Sequence, residues 1–399
     1  MKTPIYITTM GLSAFLALTP ILAAEQTKLS VQGRMPTQEK RQVQSDTSEQ
    51  AKVQIAILLD TSNSMDGLIE QAKSQLWKVV NTFIDAKKNG EAAYVEVALY
   101  EYGKSSLSGE EHWVRKIQPL TRNLDEISKH LFALTTNGGQ EYCGATIERA
   151  AMDLEWDSSD KIYKAIFIAG NEAFTQGPVS VSGSVAKAVT KGVVVNTIHC
   201  GSEKDGISGG WKNGAMLAEG AFITINHDKV VAHIDAPQDE EILKLNEKLN
   251  KTYIAWGQRG AEKKMDQAIQ DNNAITKGAS GSHVQRVVSK STSNYWNASW
   301  DLVDAVKQKD FDLTKVEKKQ LPEEMQGMTP EQQKAYIAMV SKEREEIKKK
   351  IITLNRKRVA YVALLKKERA ETAGDETLDE VITSTIRAQA EQKGYVFKQ

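Results

Sequence analysis

Val53-Gln54-Ile55-Ala56-Ile57-Leu58-Leu59 is nearly all apolar and breaks off sharply at Asp60-Thr61-Ser62-Asn63-Ser64. A short apolar run without alternation is the pattern of a strand buried on both faces of a parallel sheet. After it, Leu68, Ala72, Leu76, Val79, Val80 and Phe83 recur at helical spacing, predicting an amphipathic helix over about 67–87. The alternation continues. Strands are expected at 94–102, at an edge over 112–117, and at 165–169, 193–199 and 221–225. Helices are expected over 125–134, 145–156 and about 216–219. Strands alternating with helices predict an α/β fold over 51–235: a doubly wound, mostly parallel sheet with helices on both faces. Ligands on such sheets bind at the carboxyl ends of the strands, where Asp60–Ser64 stands.

The rest of the composition narrows the function classes. The 52 basic and 52 acidic side chains cancel, which argues against a surface built for nucleic acid or an anionic membrane. With 40% hydrophobic and 26% charged residues the chain is neither disordered throughout nor a polytopic membrane protein. Two cysteines are too few for a disulfide scaffold or a four-cysteine zinc site. At the start, Lys2 precedes an apolar run over 10–24 that ends in small residues before Glu25, the layout of a cleaved signal peptide over 1–24. The run is short for a membrane anchor and no basic stop-transfer cluster follows it. The expected location is therefore the periplasm or the medium. Residues 25–50 are polar, lack aromatics and read as a disordered spacer.

Beyond 235 the strand patterns stop, and 236–399 reads as a mainly α-helical C-terminal region. Residues 277–293 (KGASGSHVQRVVSKSTS) have the Gly, Ser and basic content of a loop or linker. A long charged helix is expected over about 330–372. In it Val340, Ile347, Ile351, Leu354, Tyr361 and Leu365 fall on heptad spacing, broken by Arg344 and Arg358. Packing against the chain's own helices is the plainer reading, and self-association as a coiled coil is the alternative.

The chemistry concentrates in Asp60, Ser62 and Ser64. One carboxylate and two hydroxyls in a tight turn suit a hard divalent cation, Mg²⁺ first, with Mn²⁺ or Ca²⁺ as alternatives. Asp and Ser are also ordinary helix caps. Leu58-Leu59-Asp60-Thr61-Ser62-Asn63-Ser64-Met65 resembles the start of the von Willebrand factor type A fold, with its metal-ion-dependent adhesion site (MIDAS). The resemblance implies a threonine in a second loop and an aspartate in a third. Here Gly138-Gly139-Gln140-Glu141-Tyr142-Cys143-Gly144 puts Glu141 in the threonine's place. Ile168-Ala169-Gly170-Asn171-Glu172 puts Gly170 where the aspartate belongs, with Glu172 two residues on. If Glu141 and Glu172 join Asp60, three carboxylates over-neutralise the ion, and the site holds metal well but recruits an acidic partner poorly. The opposing reading is that Gly170 marks a degenerate site with weak metal affinity, but Asp60, Ser62 and Ser64 are intact, which favours metal binding.

The resemblance covers about 53–233. Together with the export signal it implies an exported bacterial protein, not an enzyme, that mediates metal-dependent protein–protein interaction with an envelope partner the sequence does not name. A structural scaffold with a dead metal site and a self-associating C-terminal helix is the alternative, and a hydrolase is a weaker third. A phosphotransfer enzyme of the haloacid dehalogenase kind needs a second aspartate where Ser62 stands. Gly206-Ile207-Ser208-Gly209-Gly210 fits Gly-x-Ser-x-Gly but lies too far past the strand ending near Cys200 for a nucleophile elbow. His227 and His233, near Asp228 and Asp235, read as solvent-facing. No catalytic residue is assigned. Cys143 and Cys200 both fall at this edge of the sheet, and a disulfide between them and two buried thiols are both open.

Overall fold

The computed structural model describes residues 51–225, 234–278, 281–368 and 378–397. The signal peptide and spacer expected over 1–50, and His227, Asp228 and His233, lie outside the described residues.

Chain order gives β1 (Lys52–Asp60), α1 (Asp66–Asn81), the short pair β2 (Lys87–Lys88) and β3 (Glu91–Ala92), β4 (Tyr94–Tyr102) and β5 (Val114–Thr121). Then come α2 (Leu124–Ala133), α3 (Cys143–Asp153), β6 (Tyr163–Gly170), α4 (Val181–Thr190) and β7 (Val194–Cys200). The small helices α5 (Glu203–Ser208) and α6 (Trp211–Leu217) lead into β8 (Phe222–Ile225). Six strands form one sheet in the order β5-β4-β1-β6-β7-β8. All pairs are parallel except β4 with β5 at the edge, where Pro119 sits beside a shift of register. The pair β2–β3 turns through Asn89 and Gly90, with φ of 52° and 84°, as a two-residue hairpin requires.

The sheet is covered on both faces, so β1 and β6 are apolar on both. Ala56, Leu58, Ala98, Ile166 and Val195 face α3, α4 and α6. Val53, Ile55, Val97, Phe167 and Ile198 belong to the larger core beneath α1 and α2. The sequence pattern predicts no helix at α4 and a plain turn where α5 stands, although both carry local signals. Ser180 caps α4 through Gly183 N, and Ser202 caps α5 through Asp205 N.

The C-terminal region is helical: α7 (Asp239–Lys251), α8 (Gly260–Thr276), α9 (Ser282–Lys290), α10 (Leu302–Ala305), α11 (Pro330–Glu368) and α12 (Leu378–Gln392). Its apolar residues Ile242, Leu249, Val284, Val288, Ile351 and Ile386 enter the same core as α1. Residue 235 therefore marks a change of element type while the core runs across it. At the far end Gln389 bonds Tyr163 Oη and Asn196 (2.8 and 2.7 Å), and Val396 pairs with Lys87.

One expectation fails here. Composition argues for a loop over 277–293, yet α9 is a buried helix. Val284, Val287 and Val288 supply its apolar face. Its basic residues are core groups: Arg286 bonds Asp125 (2.7 Å) and Asp271 (2.6 Å) and lies over Trp77. Lys290 bonds Asp271, Asn246 and Asn250. Burial pushes the Lys290 ammonium down to about 8 against the pull of Asp271. Arg344, which interrupts the heptads of α11, is likewise fully buried and clamps Asp301 at 2.6 and 2.9 Å. Ile347, Ile351 and Leu354 are covered by the chain's own helices.

Candidate metal centre

The carboxyl ends of β1, β4 and β6 converge with three loops. Asp60 ends β1 opposite Tyr102, and a single 3₁₀ turn, Asn63–Met65, leads into α1. Thr61 N donates to Tyr102 O (2.8 Å), Asn137 N to Thr61 O (3.1 Å) and Ser105 N to Gly138 O (2.5 Å), which ties the first two loops together. Gly139 is required where they cross, since a Cβ there would stand 2.2 Å from Gly103 O.

Asp60 is fully buried. Its Oδ1 accepts from Ser62 N at 2.8 Å, and its Oδ2 is buried with no partner. Ser62 and Ser64 hydroxyls lie 3.2 Å apart, and Asn171 Nδ2 donates to Ser64 Oγ at 3.1 Å. Burial chiefly pushes the Asp60 carboxyl up to about 7, helped by Glu141 and Glu172 and opposed by the Ser62 hydrogen bonds. An unpaired buried acceptor costs about 1–3 kcal/mol, more when it is charged, and hydroxyls beside it complete a donor set of hard oxygens. Asp60, Ser62 and Ser64 therefore fit a divalent cation, and these are the residues that would hold it.

The two glutamates stand differently from the three-carboxylate expectation. Among the described residues no three His, Cys, Asp or Glu side chains are grouped to hold a metal ion. Glu141 is buried with its Cγ against the bare backbone of Gly103. Its backbone oxygen and Oε2 lie 3.0 and 3.3 Å from the Gln176 amide, oriented to donate to both. Burial raises its carboxyl also. Glu172 is exposed, and its backbone oxygen accepts from Trp211 Nε1 at 2.8 Å.

The third loop also explains its missing aspartate. A Cβ on Gly170 would lie 2.5 Å from Tyr102 Oη, 3.1 Å from Asp60 Oδ2 and 3.2 Å from the Trp211 ring. Tyr102 Oη itself donates to Ala169 O at 2.9 Å, so that space is filled. Tyr102, Trp211 and Asn171 shape the site, and sequence spacing alone singles out none of them. The signal available for Asn171 was its place directly after an apolar strand end.

Cys143 and Cys200 are both buried free thiols, which removes the disulfide alternative in this structure. They belong to the cores on opposite faces of the sheet. Ser208, in the Gly-x-Ser-x-Gly string, closes α5 and donates to Asp205 O at 3.2 Å, with no strand-to-helix elbow.

No protein-family model matches the chain, and no curated protein matches it. Among solved structures, it is similar to proximal thread matrix protein 1 from the mussel byssus with a zinc-occupied MIDAS motif. The two are 18% identical over 45% of this chain and 43% of that one, with a TM-score of 0.35. It is similar to the conserved hypothetical protein BatB from Bacteroides thetaiotaomicron, at 14% identity over 43% and 90% and a TM-score of 0.33. It is also similar to the SpRpn10 VWA domain, at 16% identity over 43% and 87% and a TM-score of 0.32. The chain spans less than half the length of the mussel protein. Among the described residues no helix is long and apolar enough to cross a membrane.

Proposed function

We propose that this is an exported protein, not an enzyme, that binds a divalent cation at Asp60, Ser62 and Ser64 and uses it to hold a protein partner at the cell envelope. The observation that carries this is Asp60 Oδ2, a carboxylate oxygen buried without a partner at the carboxyl end of β1. Mg²⁺ suits the all-oxygen set, with Mn²⁺ and Ca²⁺ as alternatives. In this reading Asp60 supplies the ion's carboxylate, while Glu141 lies beside the Gln176 amide and Glu172 is exposed. The ion with Asp60 then keeps net positive charge and favours a carboxylate from the partner. The test is capture from envelope extract on the immobilised mature protein with Mg²⁺ or with chelator. A partner retained only with Mg²⁺, and lost on Asp60→Ala, supports the proposal. Identical capture in chelator overturns it and favours the scaffold alternative.

A further inference from the structure

At the top of the sheet a second buried oxygen has no partner besides Asp60 Oδ2, namely Asn171 Oδ1. The two belong to one connected group. Asp60 Oδ2 borders Gly170, Asn171 follows Gly170 in the chain, and Asn171 touches Ser64, which touches Ser62. Buried side-chain acceptors are nearly always satisfied, and a hard cation is a partner that both orphan oxygens would accept. Position 170 itself offers no side-chain ligand, because Tyr102 Oη occupies the room a side chain would need.

We infer that Asn171 supplies the third loop's oxygen to the cation, one residue after the position a side chain is sterically denied, and that Glu172 does not. This rests on the cation reading above and names its fourth protein group. An amide oxygen is a good ligand for Mg²⁺ or Ca²⁺ and carries no charge. The site therefore has a single carboxylate, Asp60, and its affinity falls below that of a site with two. Replacing the amide by a carboxylate adds a Coulombic attraction in a partly buried place, where it is only weakly screened.

Calorimetric titration with Mn²⁺ and with Mg²⁺ at pH 8 tests this on the unmodified mature protein, Asn171→Ala, Asn171→Asp and Glu172→Gln, each checked for folding by circular dichroism. The expected result is binding about tenfold or more weaker for Asn171→Ala and about tenfold or more tighter for Asn171→Asp. Glu172→Gln is expected to match the unmodified protein. If Asn171→Ala fails to fold, Asn171→Asp decides alone. Unchanged affinity in the folded Asn171 variants, or a loss confined to Glu172→Gln, overturns the assignment while leaving the cation reading intact. No binding by the unmodified protein overturns both.

Discussion

At the residue scale, Asp60 is held fully buried with one carboxylate oxygen unpartnered, a place that disfavours a bare charge. With no cation its carboxyl rises from 3.8 to about 7, mainly through burial. Between those values the folded state keeps a proton that the unfolded chain has lost, so stability falls as pH rises through that window. Without cation, Asp60→Asn should match the unmodified protein near pH 4 and exceed it above pH 7 by up to about 4 kcal/mol. Urea unfolding at pH 4, 6 and 8 in chelator checks this, and a gap independent of pH would contradict it. Saturating Mg²⁺ should close the gap at pH 8 by binding the folded ionised state. Gly170 gives a second expectation. Gly170→Ala should cost about 1–3 kcal/mol by crowding Tyr102 Oη, and Tyr102→Phe in the same chain should return part of that loss. A double-mutant cycle reads the coupling, and strictly additive effects would mean the two positions do not meet. Asp60, Ser62 and Ser64 were legible because their spacing follows a strand at once. The orientation of Glu141 was not, because it depends on Gln176, far along the chain in another loop.

At the element scale, the strands were legible and one helix was not, for a definite reason. Apolar runs buried on both faces, such as β1 and β6, announce themselves without tertiary information. Helix α9 carries Ser282, His283, Gln285, Arg286, Ser289 and Lys290, whose polarity suggests solvent until their partners are known. For Arg286 and Lys290 those partners are Asp125 on α2 and Asp271 on α8, together with Asn246 and Asn250 on α7. Three helices thus close around two basic groups, and Asp271 is held well below the usual carboxylate range against its own burial by Lys290 and Arg286. Removing one member strands the others. Arg286→Ala should lower stability by about 3–5 kcal/mol, since Asp125 loses its buried cation. Equilibrium urea unfolding measures this. A loss below about 1 kcal/mol would show that the network is wetter and looser than its geometry here.

At the scale of the whole molecule, the sheet and the C-terminal helices share one apolar core on the α1 face, while the candidate cation site lies at the strands' carboxyl ends. The heptad pattern of α11 was legible as a stripe, but not what covers it. Over Ile347, Ile351 and Leu354 the cover is the chain itself, and Arg344 fits as a buried clamp on Asp301. The fold thus fixes β1 from both sides and sets Asp60 and the serine turn on a rigid platform, as a preorganised ion site needs. The most direct measurement is calorimetric titration of Mg²⁺ into the mature protein at pH 8, beside Asp60→Ala with Ser62→Ala. One equivalent bound by the unmodified protein, and none by the folded double variant, is the expected result. No heat of binding from the unmodified protein with Mg²⁺, Mn²⁺ or Ca²⁺ would contradict the cation site outright.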